Sequence, residues 1–189
     1  MSLAVETLDI PGPLLLTPER VEDSRGFIVT SYDDAAFAEA VGRDVAFRQD
    51  IDVYSAESGT LRGLHFQHPP FAQSRLVRVV RGVAIDVMVD IREGSPSFGQ
   101  HVKVRLDDER GQMLWVPAGF AHGFVTRRRG TQVGMKVESV YAQHAEGRIV
   151  WNDPLLHIDW EVAEPIVSDN DRHAPGFADL VSPFALRMG

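Results

Sequence analysis

A cation, a glycine and a histidine stand close together in the run Arg62-Gly63-Leu64-His65-Phe66-Gln67, and a second cation, Arg75, follows a Pro-Pro break. A histidine titrates near neutral pH, so it can remove a proton from carbon. An arginine keeps its charge, so it can hold a phosphate or a developing oxyanion. One base beside two fixed cations suits proton abstraction next to a carbonyl group of an anionic substrate. A strand–loop–strand with a merely structural histidine is the alternative at this point.

Composition narrows the classes of protein to which the chain can belong. Its 189 residues are 44% hydrophobic, which is enough for one domain, and we expect a single domain over residues 1–189. No apolar run approaches the roughly 20 residues that cross a bilayer, and we expect no secretory signal. The net charge of −8 argues against a nucleic-acid or anionic-membrane partner. Cysteine is absent, which excludes disulfides and thiolate metal sites, and we expect a cytoplasmic protein.

Short segments rich in valine, isoleucine and phenylalanine, separated by glycine or proline, predict a chain made mostly of strands. The expected strands lie at 14–16, 26–29, 45–54, 60–67, 74–81, 83–91, 99–106, 111–116, 122–127 and 132–141. Residues 33–41 predict one short helix, with Asp33 or Asp34 as N-cap and Gly42 as its stop. Strands spaced by about ten residues favour an all-β sandwich or barrel over a βαβ fold.

The segment 84–90 alternates strictly, with Ile85 on one face of the predicted strand and Asp86 on the other. A carboxylate in the middle of a strand either faces solvent or orients a polar group inside a barrel. Periodicity alone favours solvent for Asp86.

A second histidine, His122, ends a run that resembles the second motif of the cupin superfamily. In this run Gly111 is followed after five residues by Pro-Ala-Gly at 117–119, and His122 follows after two more residues. Metal-binding cupins also supply two histidines in a His-x-His pattern and a carboxylate from their first motif. In this chain Gln67 occupies the position of the second of those histidines, and Arg75 occupies the position of the carboxylate. Two imidazoles, an amide and a guanidinium are poor ligands for a divalent ion, so we expect neither a metal nor another cofactor.

Further short motifs occur in order along almost the whole chain, at 23–27, 49–50, 61–67, 73–77, 86–92, 95–99, 117–124, 151–154, 158–160 and 168–171. With them, the chain resembles the dTDP-4-dehydrorhamnose 3,5-epimerase family, a metal-free cupin branch of the sugar-nucleotide enzymes. The resemblance implies an all-β, cupin-type jelly-roll barrel with a few short peripheral helices. It also implies an isomerase that epimerises a nucleotide-linked 4-keto-6-deoxyhexose, as in dTDP-rhamnose and other deoxysugar biosynthesis.

The resemblance implies roles for individual residues. His65 matches the family's base, which removes a proton beside the C4 ketone, and Asp171 matches the aspartate paired with that base. Arg75 stands where a lysine faces the enolate oxygen. The expected partner is a dTDP-4-keto-6-deoxyhexose, and the positions that bind it match Arg25, Phe27, Gln49, Arg62, His122, Tyr141 and Glu146.

Two of these binding positions carry further implications. In the family, the residue at Phe27 reaches across a dimer interface, so we expect a homodimer. Tyr141 matches the aromatic residue that stacks on the thymine base.

The chain departs from the family at several active-site positions. The family's general acid is a tyrosine six residues before the stacking tyrosine, where this chain has Met135, and a thioether cannot donate a proton. Thr30, Ile51 and Asn170 stand in place of a glutamate, an asparagine and a lysine. We therefore expect a working epimerase, with a C3-only mono-epimerase or a non-catalytic sugar-nucleotide-binding cupin as alternatives. A ketoisomerase and a metal-dependent oxygenase rank below these.

Overall fold

Strands make up most of the chain, of which the computed structural model describes residues 2–186. The strands are β1 (Leu3–Thr7), β2 (Leu14–Pro18), β3 (Arg20–Asp23), β4 (Gly26–Val29), β5 (Gln49–Ser55), β6 (Thr60–Gln67), β7 (Arg75–Arg81), β8 (Val83–Asp90), β9 (Arg92–Glu93), β10 (His101–Asp107), β11 (Met113–Val116), β12 (Phe120–Thr126), β13 (Thr131–Val137), β14 (Glu146–Arg148), β15 (Ile166–Val167) and β16 (Phe184–Ala185). The α-helices are α1 (Asp34–Val41) and α2 (Asp169–Arg172), and short 3₁₀ turns lie at Gln143–Ala145 and Phe177–Asp179.

Two large sheets pack face to face in this part of the chain. The first has the strand order β1-β2-β11-β7-β13-β5, and the second has the order β10-β8-β12-β6-β14, with β15 added in parallel beside β6. Between them lies an apolar core to which Val77 and Val133 contribute from the first sheet, and Met88 and Phe124 from the second. This arrangement confirms the predicted all-β jelly roll.

Strand β8 is buried along its entire length, so its alternating sequence does not mark a solvent-exposed face. Met88 packs between the two sheets, whereas Val87 packs on the opposite face against a cluster that includes Leu156 and Trp160. The C-terminal part of the chain thus covers the outer side of the second sheet. The expectation that Asp86 faces solvent is wrong: its side chain is fully buried and contacts His122.

The predicted helix is confirmed with both of its ends. The Asp33 side chain accepts a hydrogen bond from the Ala36 backbone N–H at 2.9 Å, which caps the first turn of α1. Gly42 ends the helix with φ of 73°, a left-handed conformation that glycine adopts without strain. Phe37 anchors the helix to the first sheet, with its ring centroid 5.3 Å from that of Trp115.

Candidate active site

His65 and Asp171 form a hydrogen-bonded pair at the inner face of the second sheet. The His65 Nε2 and Asp171 Oδ1 atoms are 2.6 Å apart, and the two side chains are 25% and 4% exposed. β15 runs parallel to β6 and leads directly into α2, which places Asp171 beside His65. Ser168 caps this turn by accepting a hydrogen bond from the Asp171 N–H.

The environment of Asp171 favours its charged form. Burial alone raises the pKa of this carboxyl group, but hydrogen bonds from His65 and Gly63 and the charge of Arg148 together hold it below its usual value. An ionised carboxylate only accepts hydrogen bonds, so His65 Nε2 carries the hydrogen of the pair. His65 Nδ1 has no hydrogen-bond partner within residues 2–186, which leaves its lone pair available for a proton.

A second imidazole–carboxylate pair lies directly beside the first. His122 on β12 is opposite His65 on β6 in the strand register, so the two side chains are neighbours on one face of the sheet. His122 Nε2 lies 2.8 Å from Asp86 Oδ1, and Arg75 Nη1 lies 3.3 Å from His122 Nδ1. Nε2 therefore donates to the Asp86 carboxylate, while Nδ1 accepts from Arg75.

Burial sets the protonation of this second site. It lowers the pKa of His122 and, although Asp86 opposes the effect, the nearby charge of Arg75 adds to it. His122 is therefore neutral at pH 7. Burial also lowers the pKa of Arg75 to about 10, against the opposing charge of Glu146, so the guanidinium keeps its proton at neutral pH.

The close approach of β6 and β12 at the two histidines depends on Gly63. Its φ is 130°, which side chains rarely allow, and a Cβ atom placed there would lie 2.5 Å from the Gly123 Cα atom. The strand register shifts at this point, between His122 and Phe124. A larger residue at position 63 would push the two strands apart at the site.

Arg148 is a site residue that the sequence motifs do not reveal. It lies opposite His65 in the pairing of β14 with β6. Its Nη1 donates to Asp171 Oδ1 at 2.6 Å, and its Nη2 donates to Glu146 Oε2 at 2.8 Å. The only sequence signal for Arg148 is its position two residues after Glu146, because residues two apart in a strand share a face. His122, His65 and Arg148 thus form a row across three adjacent strands.

Two adjoining cavities expose these groups. The larger, about 550 Å³, is lined by Arg62, His65, Arg75, His122, Met135, Arg148, Asn170 and Asp171, among others. The smaller, about 140 Å³, is lined by residues that include Ile51, His65, Arg75, Met135, Tyr141 and Glu146. His65, Arg75 and Met135 line both, so the cavities meet beside the candidate base. Thr30 lines neither of them.

The loop after β13 presents Tyr141 at the mouth of the smaller cavity. The Tyr141 N–H donates to Gln49 Oε1 at 3.0 Å, and its hydroxyl donates to Glu146 Oε2 at 3.1 Å. The buried Gln67 amide supports the loop, since it donates to the Val140 carbonyl and accepts from the Ala142 N–H. These contacts explain why β13 ends at residue 137 rather than at the predicted 141.

Arg25 and Phe27 lie elsewhere, on the hairpin formed by β3 and β4. Arg25 pairs with Asp23, and the Phe27 ring is 50% exposed with the Arg20 guanidinium 4.2 Å from its centroid. Within one chain, the structure does not bring these two residues to the cavities that contain His65.

The described residues contain no cluster of three or more histidine, cysteine, aspartate or glutamate side chains that could hold a metal ion. In the same part of the chain, none of the helices has the length and apolar character that would let it span a membrane.

Comparison with known proteins identifies the family. The sequence profile described as dTDP-4-dehydrorhamnose 3,5-epimerase matches residues 7–179. The chain belongs to this family. A dTDP-4-dehydrorhamnose 3,5-epimerase from Pseudomonas aeruginosa is 46% identical over 173 residues, covering 91% of this chain and 94% of that protein. The family and enzyme class expected from the motifs, an epimerase of the isomerase class, are confirmed.

Solved structures of related epimerases have the same fold. The dTDP-6-deoxy-D-glucose-3,5-epimerase of Legionella pneumophila, in complex with dTDP-4-keto-L-rhamnose, has a TM-score of 0.93 at 33% identity, and each chain is covered completely. A 3'-monoepimerase from Streptomyces bikiniensis, in complex with dTDP-quinovose, has a TM-score of 0.86 at 33% identity, covering 90% of this chain and 86% of that one. Both kinds of epimerase are thus built on the fold seen here.

Proposed function

We propose that this epimerase acts on a dTDP-linked 4-keto-6-deoxyhexose and that His65 is its base. The observation that carries the proposal is the His65–Asp171 pair, which lies in a cavity with Arg75 on the facing sheet. A base with a free nitrogen, a fixed tautomer and a nearby cation is the combination that enolate chemistry requires.

The reaction follows from these positions. His65 Nδ1 takes a proton from a carbon next to the C4 ketone, and the C–H electron pair moves into a C–C double bond as the carbonyl oxygen becomes an enolate. Asp171 stabilises the imidazolium that forms, because it already accepts the Nε2 hydrogen. Arg75 stabilises the enolate oxygen. Return of a proton from water to the opposite face of the same carbon inverts its configuration, and the His65 imidazolium then releases its proton to solvent.

The remaining candidate residues divide between the nucleotide and the sugar. Tyr141 is exposed and held by Gln49 and Glu146, which suits stacking on a thymine base. Arg62 and His122 line the larger cavity, where they can contact the diphosphate or the sugar. Complexes of relatives with dTDP-4-keto-L-rhamnose and dTDP-quinovose support a nucleotide-linked sugar as the substrate.

We also propose a cytoplasmic homodimer of single-domain chains in which Arg25 and Phe27 contact the site of the partner. The β3–β4 hairpin supports this assembly, since Val21, Phe27 and Ile28 are 69%, 50% and 74% exposed. Apolar side chains grouped on one exposed hairpin are typical of a protein interface.

Epimerisation at C3 alone is the second candidate, and Met135 favours it. This residue lines both cavities where the family has its acid tyrosine, and its thioether cannot donate a proton. Loss of one general acid typically slows a step by ~10²–10⁴-fold, which is enough to suppress the second epimerisation.

Substitution of His65 by asparagine tests the assignment of the base. We expect H65N to lose whatever proton exchange the wild type shows next to the C4 ketone of dTDP-4-keto-6-deoxyglucose while retaining its affinity for dTDP, measured by calorimetry. The matched control is His101→Asn, a histidine on β10 that lines neither cavity, and its exchange rate should equal that of the wild type. If H65N exchanges protons at the wild-type rate, His65 is not the base. If the wild type binds dTDP but exchanges no proton of this sugar, the result contradicts this substrate and favours a nucleotide-sugar-binding module.

A further inference from the structure

One side of the two cavities is apolar, and it faces the histidines. We call it the β5–β13 wall: Ile51 and Val53 on β5, with Met135 and Val137 on β13. Ile51 lies opposite Met135 in the strand register, so these two side chains are in direct cross-strand contact range. All four residues line a cavity that His65 also lines.

Three polar residues of the same two strands are directed away from the cavities, whereas Gln49 shares the inner face and accepts a hydrogen bond from the Tyr141 N–H at the cavity mouth. Asp50 and Lys136 lie on the outer face of the first sheet, where the Lys136 ammonium contacts the Asp50 carboxylate at 2.8 Å. Asp52 occupies the outer face as well. Between Gln49 at one end and Ser55 at the other, the four residues of the β5–β13 wall carry no hydroxyl, amide or charged group.

The first sheet and its adjoining loops do supply polar side chains to these cavities, among them Gln73 and Arg75, but these lie beside the β5–β13 wall and not on it. The Gln73 amide nitrogen donates to the Ser139 carbonyl, and Arg75 contacts His122. By contrast, the opposite wall is rich in polar groups, with His65, His122, Arg148 and Asp171. A sugar ring held between the walls meets hydrogen-bonding groups on the face that His65 approaches. Its other face meets apolar atoms, except where Arg75 reaches the C4 oxygen.

This asymmetry selects against a hydroxyl group on the far face of the ring. Such a hydroxyl loses its hydrogen bonds to water when it enters the site, and the β5–β13 wall offers no replacement. A hydrogen or methyl group in that place is buried favourably instead, and the flexible Met135 side chain can adjust to the added volume. The loss of one hydrogen-bonding partner in a site corresponds to about 10–100-fold in kcat/KM.

We propose that the natural substrate is a nucleotide-linked 4-keto-6-deoxyhexose that is further deoxygenated or C-methylated on the ring face turned towards the β5–β13 wall. This inference rests on the proposed function of the same site. Ile51 and Met135 stand where the family resemblance places an asparagine and a tyrosine. Both replacements therefore remove a polar group from the β5–β13 wall. The enzyme that supplies this substrate must then remove a sugar hydroxyl or add a methyl group.

Proton exchange with a small set of substrates tests the inference. The parent dTDP-4-keto-6-deoxyglucose is compared in D₂O with its 2-deoxy, 3-deoxy and 3-deoxy-3-C-methyl analogues, all of which keep a hydrogen on C3, and exchange is followed by NMR. We expect kcat/KM for at least one analogue to exceed that of the parent by about 10-fold or more. A parent that exchanges as fast as all three analogues would overturn the inference but leave the proposed function intact. If no member of the set exchanges at any carbon, the proposed function fails as well.

Variants of the wall provide the second test. Ile51→Asn supplies an amide that a hydroxyl can bind, so it should move the ratio of kcat/KM values towards the parent by about 10-fold. Met135→Gln is the companion variant, and both positions are only partly buried, which permits a polar replacement. Asp52→Asn, the neighbouring residue on the outer face of β5, is the matched control and should leave the ratio unchanged. An unchanged ratio in both wall variants, with folding verified by thermal melting, would contradict the role of the wall.

Discussion

Removal of the guanidinium of Arg75 is the most informative single perturbation of the site. Arg75 is the cation on the sheet that faces His65, and its pKa of about 10 keeps it protonated at neutral pH. Arg75→Met retains much of the side-chain length but removes the charge and the contact with His122. Loss of one group that stabilises an oxyanion typically costs about 10²–10³ in rate, or roughly 3–4 kcal/mol of transition-state stabilisation. We therefore expect R75M to slow proton exchange by this factor.

Arg75→Lys separates the charge from the shape of the side chain. A lysine keeps the positive charge but lacks the planar fork that spans His122 and the cavity, so we expect a loss of about 10-fold or less. The assay is the initial rate of deuterium incorporation with saturating dTDP-4-keto-6-deoxyglucose, and dTDP affinity is measured in parallel.

The matched control for Arg75 lies on the same strand. Arg78 is exposed and faces the outer groove of the first sheet, so Arg78→Met should leave the exchange rate unchanged. A loss below about 5-fold in R75M, well short of the range for an oxyanion contact, would refute the role of Arg75. An equal loss in R78M would show that the effect is one of net charge and not of position.

Three further predictions follow from the same geometry. Arg148→Met should lower kcat for exchange by about 10-fold or more with little change in KM, because Asp171 loses the 2.6 Å hydrogen bond that holds it. Arg148→Lys should restore part of the rate. Equal rates in both variants and the wild type would refute this positioning role. Burial lowers the pKa values of His122 and His101 below 6.5, so the unfolded state binds more protons than the folded state on acidification. The free energy of unfolding should therefore fall as pH drops below about 6.5, by at most about 1.4 kcal/mol per pH unit for each histidine. Urea titrations between pH 7.5 and 5.5 measure this, His101→Gln should reduce the slope, and a free energy that rises on acidification would contradict the sign. Dialysis against EDTA should leave the exchange rate unchanged, and restoration of a lost rate by a divalent metal would contradict the metal-free mechanism.

The sequence predicts local structure well where the cause of that structure is local. The Asp33 cap, the Gly42 stop and the bounds of β6 follow from residues close by in the chain. The end of β13 does not, because the amide of the distant Gln67 takes over the backbone groups of the loop that follows.

The site shows the same division between near and distant causes. The burial of Asp86 could not be predicted, because alternation shows which residues share a face of a strand but not what covers that face. Asp171 is 106 residues from His65, so only the family resemblance could pair them before the structure brought them together. Arg148 has no motif of its own, and its contact with Asp171 depends on how β14 and α2 meet at β6.

The central claim is that His65 removes a proton next to the C4 ketone, and Met135 bears on where a proton returns. Deuterium incorporation at C3 and C5 of dTDP-4-keto-6-deoxyglucose in D₂O, followed by NMR for the wild type and for Met135→Tyr, tests the claim most directly. We expect the wild type to incorporate deuterium at C3 faster than at C5, and the M135Y variant to speed exchange and inversion at C5. Wild-type exchange at neither carbon would contradict the account for this substrate, and an unchanged C5 in M135Y would contradict the role given to position 135.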